Sequence, residues 1–381
     1  MKRTIFSPEH DDFRESVRGF LRREAVPHLE RWENEGQLDR AFWRKAAAQG
    51  FVGFEAPDEL GGLGIDDYRF NAILTEECCY AGLLPDHFML QNDVLGPYLI
   101  ELADEEQQRR WLPGFTAGEK LAAIAMSEPG AGSDLRGIAT HAERDGDAYV
   151  VNGSKTFIST GSQADLIVVA ARTSGEARAS GAFSLLMVEG DMQGFERGRK
   201  LEKVGRHGQD TAELFFHDVR VPVENRLGDE GTGLRNLMRN LARERLCVAV
   251  AAIAGVRHVL DITLEYAKDR KAFGTPIGSF QVSRHALASM EAEMLAGQSW
   301  LDRCIELESS HALDHVEAAA LKAWTTELQW RVVDRCLQLH GGYGYMDEYE
   351  ISRHWRDARV QRIYGGSTEI MWEIVGKQLG L

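Results

Sequence analysis

"LARERLCVAVAAIAGVRHVLDITLEYAKDR", residues 241–270, keeps a helical period for roughly thirty residues without a proline. So long an apolar repeat points to a helical bundle with faces left over for subunit contacts. Its longest apolar run, Leu246 to Val256, is about half the eighteen or so residues a membrane span needs, and it is rich in Ala, so it reads as buried helix. Glu244 interrupts the pattern. Leu241, Val248 and Ala251 stand at i−3, i+4 and i+7, so the carboxylate projects from an apolar face. A carboxylate there is costly unless it is paired or serves a purpose. Arg245 points about 100° away, which leaves Arg243 or a neighbouring subunit as a structural partner. Unpaired, Glu244 would have its pKa raised toward that of a general base.

Two further stretches match it in length: "SFQVSRHALASMEAEMLAGQSWLDRCIEL" (279–307) and "HVEAAALKAWTTELQWRVVDRCLQLHGG" (315–342). The first 118 or so residues also read as helical. Ser7 is an N-cap, Pro8 follows at the first helical position, and Phe13, Val17, Phe20 and Leu21 recur at helical spacing. Between Ala122 and about Arg226 the period shortens to that of strands. "DAYVVNGSKTFIST" carries Asn152-Gly153 between β-formers, a hairpin cue. "ADLIVVAART", "AFSLLMVEG" and "AELFFHDVRVP" follow with no long helix between them, which favours an antiparallel sheet. The expected fold is α+β: an N-terminal helical domain (1–120), a middle antiparallel β-domain (121–228) and a C-terminal four-helix bundle (229–381).

The 381 residues are 44% hydrophobic and 27% charged, as in an ordinary folded protein. A net charge of −15 argues against a nucleic-acid binder. The N-terminus turns acidic without an apolar run, so no secretion signal is read and the expected location is cytoplasmic. The five cysteines form no C-x-x-C pair and read as reduced thiols. No metal is assigned, because His207, His217, His340 and His354 do not fall at ligand spacing with other donors.

Five motifs stand in order: "AMSEPGAGSDL" (125–135), "KTFISTG" (155–161), "DRKAFGTPIGSFQ" (269–281), "LQLHGGYGY" (337–345) and "IYGGSTEIMW" (363–372). Together they resemble the acyl-CoA dehydrogenase family across essentially the whole chain. The resemblance implies FAD, a homotetramer built as a dimer of dimers, and oxidation of an acyl-CoA to its trans-2-enoyl product. It also implies electron transfer to an electron-transfer flavoprotein. On the cofactor it places Met126, Ser127, Gly132 and Ser133, with Ser133 also within reach of substrate. Phe157 would pack on the flavin ring, with Ile158 and Ser159 beside it. Arg270, Phe273, Gln281, Gln338, Gly341 and Gly342 would serve the FAD of an adjacent subunit, and Ser367 and Glu369 its ribose–pyrophosphate region.

Many family members place the catalytic Glu directly after the Tyr of the last motif, where this chain has Gly365. A minority pattern, that of the isovaleryl- and long-chain-type branch, puts the Glu on the first long helix of the bundle before an Arg. Glu244-Arg245 resembles that pattern. The resemblance thus implies Glu244 as the base, Arg245 in the substrate pocket, and the Gly365 N–H as a donor to the thioester carbonyl. Gln91 and Asp93 are candidate linings of the far end of the pocket. Ala242 stands where some relatives have an Asp on CoA, which keeps an acyl-carrier-protein thioester open as the substrate. A flavin monooxygenase or oxidase on the same fold is the other alternative.

Overall fold

The computed structural model describes residues 3–174 and 179–381. Six helices lead: α1 (Pro8–Glu24), α2 (Leu29–Glu35), α3 (Arg40–Ala47), α4 (Tyr68–Ala81), α5 (Asp86–Phe88), which widens into π-type turns at Met89–Leu95, and α6 (Glu105–Thr116). Ser7 precedes α1, and its N–H donates to His10 Nδ1 at 3.1 Å. Arg14 and Arg18 of α1 bind the buried Glu76 and Glu77 of α4, which fixes α4 against α1.

Eight strands form the middle sheet: β1 (Ala122–Ala125), β2 (His141–Asp145), β3 (Ala148–Ser159), β4 (Leu166–Arg172), β5 (Phe183–Glu189), β6 (Phe195–Lys200), β7 (Thr211–Pro222) and β8 (Arg226–Leu227). Their order is β6-β7-β3-β2-β4-β5-β8, with β1 beside β4. The sheet is not purely antiparallel: β1 runs parallel to β4, and β2 meets β4 in parallel at His141. Strand β4 is buried on both faces. Leu166, Val168 and Ala170 pack with α6 and the π-type turns, while Ile167, Val169 and Ala171 pack with β3, β5 and β7. Its sequence is therefore continuously apolar instead of alternating.

The hairpin expected at Asn152-Gly153 is not there. Strand β3 runs straight through it, and the turn lies at Gly146-Asp147, between paired Asp145 and Ala148. Asn152 and Gly153 instead form a bulge, where the pairing with β7 shifts register. The Asn152 side chain exchanges two 2.9 Å hydrogen bonds with Asp218. Gly153 has φ +150°, and a Cβ there would lie 2.4 Å from Thr140 Oγ1 and 2.8 Å from Thr140 Cα. The glycine is required by close backbone approach, not by a turn.

The C-terminal bundle is α7 (Gly233–Asp269), a short hairpin of β9 (Lys271–Ala272) and β10 (Thr275–Pro276), then α8 (Gln281–Glu308), α9 (His315–His340), α10 (Glu350–Ala358) and α11 (Thr368–Gln378). Helix α7 is longer and more apolar than the Leu246–Val256 run implies. It contains an eighteen-residue window of mean hydropathy 1.7, enough by length and composition to cross a membrane. That window is 78% buried inside the protein, so its apolar faces are spent on the core. All five cysteines are free and buried.

The bulge yields a stability test. Gly153→Ala is expected to destabilise the protein by about 3 kcal/mol or more, because Thr140 main chain must move. Gly146→Ala, at φ +63° with nothing within 4 Å, should cost only about 1–2 kcal/mol. Equal losses in denaturant unfolding would contradict the bulge.

Candidate active site

Glu244 lies on α7 and is 7% exposed. Among the described residues its carboxylate forms no ion pair, although the Arg245 charge nearby favours the ionised form. Oε1 accepts from Asn240 Nδ2 at 3.1 Å and from Tyr98 Oη at 3.4 Å. Asn240 is one turn earlier on the same face, while Tyr98 follows the π-type turns. Arg243 is drawn the other way, to Glu55, to Asp93 at 3.7 Å and over the Tyr68 ring. Arg245 reaches the His315 carbonyl at 3.4 Å, and its buried Nε has no partner. Burial pushes the Glu244 pKa up to about 7, with Asn240 opposing only partly. Such a group holds its proton loosely near neutrality, as a general base should. The same face of α7 continues through Val248 and Ala251, which pack with Cys79, Met89 and Tyr364.

Gly365 comes to this face from the far end of the chain. A Cβ built on it would meet only Val248 Cγ2, at 3.9 Å, one turn beyond Glu244. Gly365 and Gly366 have φ +62° and +91°, so the Gly-Gly pair is set by a left-handed turn. The Gly365 N–H has no acceptor among the described residues. Tyr364 anchors the turn: its hydroxyl donates to Asp86 Oδ1 at 3.1 Å and its ring faces Arg206. After the turn, Ser367 caps α11, accepting from the Ile370 N–H at 3.4 Å. Glu369 is exposed in the first turn of α11, where Ser367 and its own N–H lower its pKa. An acid is favourable there against the helix dipole, which gives Glu369 a local role.

A second group forms on the sheet. The Thr156 N–H donates to the Ser127 carbonyl at 2.9 Å, which joins the 125–135 and 155–161 motifs. Lys155 holds the first motif in place, donating to Met126 O at 3.1 Å and Glu128 Oε1 at 2.8 Å. Phe157 sits in the β3 bulge at φ +60° with 70% of its surface exposed. Strained backbone that holds a large ring in solvent is a feature of ligand clamps. Ser127, Ser133 and Ser159 have hydroxyls free for a ligand, and Gly132 lies exposed between them in sequence. Ile158 differs: its side chain is in the core and adds nothing to this surface. An exposed ring among free hydroxyl and backbone donors suits a flat heterocycle with a polar edge, as in a flavin.

A third group gathers at one end of the bundle. The Arg270 guanidinium lies 5.3 Å from the Tyr343 ring centroid, which brings the α7 end against Gly341 and Gly342. Phe273, at φ +53°, is 98% exposed, and Gln281 and Gln338 are also exposed. Among the described residues no hydrogen bond, ion pair or ring contact joins these residues to the sheet group.

Two expectations change. Gln91 is buried and spends its amide on Ala122, at 3.0 Å to the carbonyl and 2.9 Å from the N–H. Asp93 is buried against Asn71 and Arg243. Both are structural, not pocket linings. His354 does meet other donors. Glu350 Oε1 lies 2.8 Å from His258 Nε2 and 3.3 Å from His354 Nε2, a set spacing could not reveal because His258 is on another helix. Arg353 stands 3.7 Å from the same oxygen. Asn240, Tyr98 and Lys322, discussed below, were missed from sequence. Asn240 alone had a local signal, its i−4 relation to Glu244.

The chain matches three family models: acyl-CoA dehydrogenase N-terminal domain at residues 7–119, middle domain at 123–219 and C-terminal domain at 231–380. It is 44% identical to the long-chain specific acyl-CoA dehydrogenase of Sus scrofa mitochondria, over 99% of this chain and 88% of that one. A solved acyl-CoA dehydrogenase from Geobacillus kaustophilus shares 46% identity and a TM-score of 0.97, covering 99% of both chains. One from Bacillus anthracis, solved with FAD, shares 32% and a TM-score of 0.91, covering 100% of this chain and 70% of that one.

The Glu244 environment has a pH signature. Its folded pKa, about 7, lies above the ordinary 4.5, so the folded state binds the proton more tightly. Parent stability from this group is present below about pH 4.5 and is lost as pH rises through 7. Glu244→Gln cannot ionise, so its stability relative to the parent should grow by roughly 3 kcal/mol between pH 5 and 8, then level off. A difference in unfolding free energy that does not change with pH would contradict this environment.

Proposed function

The chain belongs to the acyl-CoA dehydrogenase family, and we propose that it oxidises a long-chain acyl-CoA to the trans-2-enoyl thioester with Glu244 as the base. FAD, when bound, supplies the hydride acceptor. The residues that would hold it are Met126, Ser127, Gly132, Ser133, Phe157 and Ser159, with the Ser367 turn nearby. Arg270, Phe273, Gln281, Gln338, Gly341 and Gly342 would complete the site of a neighbouring subunit. Arg270 supports this, since its guanidinium faces an aromatic ring and has no carboxylate partner among the described residues.

The observation that carries the reading is the meeting of Glu244 and Gly365 across Val248. A thioester whose carbonyl oxygen accepts the Gly365 N–H would present its α-carbon to Glu244. The carboxylate takes the α-proton as the carbonyl oxygen gains charge, and the N–H offsets that charge. Tyr98 and Asn240 hold Glu244 Oε1 and so orient the carboxyl. Arg245, buried without a carboxylate partner, adds positive potential beside the pocket.

Two observations favour a long, straight acyl chain. The relative from Sus scrofa is named long-chain specific. The side chains next along the α7 face, Val248 and Ala251, are small and apolar, as an acyl chain would require. The electron acceptor is expected to be an electron-transfer flavoprotein. Exposed Phe273 and Tyr345 at the bundle end favour a homotetramer.

The purified holoprotein should be yellow and should be bleached anaerobically by acyl-CoAs, fastest for long chains. Glu244→Gln should keep its FAD and be bleached at least about a hundredfold more slowly. Normal bleaching of that variant would sink the base assignment. Rapid reaction of reduced flavin with oxygen to give a hydroxylated product would favour a monooxygenase. Light scattering should give four times the chain mass, and a monomeric holoprotein would rule out the shared cofactor site.

A further inference from the structure

Among the described residues Lys322 is the one side chain that hydrogen-bonds the main chain of the Gly-Gly turn. It lies on α9 in the apolar stretch "AAALKAW" and is fully buried. Its ammonium donates to the Tyr364 carbonyl at 2.8 Å and the Gly366 carbonyl at 2.5 Å. We infer that Lys322 is a positioning residue that aims and polarises the Gly365 N–H toward the substrate carbonyl, an inference that rests on the reading of Gly365 as that donor.

The argument is geometric. The Tyr364 carbonyl and the Gly365 N–H belong to one planar peptide unit, trans as are all among the described residues. In a trans peptide the two groups point in opposite directions. A cation fixed on the carbonyl therefore sends the N–H away from α9, and that N–H is without an acceptor. The second bond, to Gly366, holds the other side of Gly365 and stops the flexible pair from rotating. A charge on the carbonyl also draws electron density from the N–H and strengthens it as a donor.

A purely structural brace would not need a charge here. Burial pushes the Lys322 pKa down to about 7, with Arg245 adding to the effect, so the ammonium is costly to keep. The nearest acid on α9, Glu327, is committed to Arg362 at 2.6 Å and to Thr368 at 3.1 Å. The charge of Lys322 is left to act through the peptide. It gains most when the thioester oxygen becomes negative, which is when a donor should be strongest.

The test uses the holoenzyme and an acyl-CoA in which sulphur replaces the β-methylene. Such a thioester can lose its α-proton but cannot pass on a hydride. Its enolate beside oxidised flavin gives a long-wavelength absorption band, whose pH titration reports the acidity of the bound α-proton. Lys322→Met should raise that apparent pKa by about one to two units, or ten- to a hundredfold less enolate at fixed pH. Flavin content should not change, and affinity for the neutral analogue, measured well below that pKa, should change little. Lys322→Arg, which keeps a cation on the carbonyls, should restore most of the shift. A Lys322→Met enzyme with the parent's pKa overturns the inference. A parent that gives no band overturns the underlying reading of the site instead. Should Lys322→Met yield no holoenzyme, Lys322→Gln takes its place, with the same shift expected and the same null result decisive.

Discussion

The proposed chemistry depends on a buried carboxylate that carries no ion pair among the described residues. Glu244 is flanked by two arginines, yet neither neutralises it. The 100° step between successive helical residues sends them to other faces. Arg243 is taken up by Glu55, Asp93 and Tyr68, and Arg245 by the His315 carbonyl. Only neutral donors, Asn240 and Tyr98, touch the carboxyl. A salt bridge would lower its pKa and make it a poor base. Removing every polar partner would leave it fixed as the neutral acid. Two neutral hydrogen bonds orient it and leave its proton affinity near neutrality.

The glycine turn is the proposed electrophilic counterpart of that carboxylate. A side chain could be placed at Gly365 without collision, since only Val248 approaches. The position therefore does not need glycine for space. Glycine is instead favoured by a backbone at φ +62°, and the N–H has no acceptor among the described residues. Glu244 and Gly365, the proposed base and donor, thus come from opposite ends of the C-terminal bundle, and the bundle sets their spacing. Tyr364, held by Asp86 and facing Arg206, ties the same turn to the N-terminal helices. Relative motion of these parts would separate the base from the donor.

Much of this was legible in the sequence because it is local. Period and length marked the long helices, and the i−3, i+4, i+7 pattern placed Glu244 on an apolar face. The same rule would have found Asn240. What local rules missed is tertiary. Asn152-Gly153 has hairpin chemistry, but the deciding fact is Thr140, just ahead of β2, at a distance no turn statistic contains. The β1–β4 parallel pairing needs a crossover that strand propensity does not record. Gln91 and Asp93 looked available because their partners, Ala122 and Arg243, are remote in sequence. Lys322 looked like one charge in an alanine-rich helix.

Several buried charges elsewhere in the chain are ion-paired. Lys155 meets Glu128, Arg243 meets Glu55, and Arg206 meets Asp86. Those pairs fix loops and helices, and a neutral replacement of both partners would alter little chemistry. Glu244, Arg245 and Lys322 contrast with those pairs, being buried with no ion pair among the described residues, and Arg245 perturbs both of the others. For each of the three the cost of desolvation outweighs the attraction of more distant opposite charges, which is hard to explain as packing. They are readily explained if a ligand brings the missing partners: a proton donor for the carboxylate and a developing negative oxygen for the cations. The cost in the empty protein is then the source of complementarity to the reacting thioester, in which charge moves from the Glu244 side to the side held by Lys322 and Arg245.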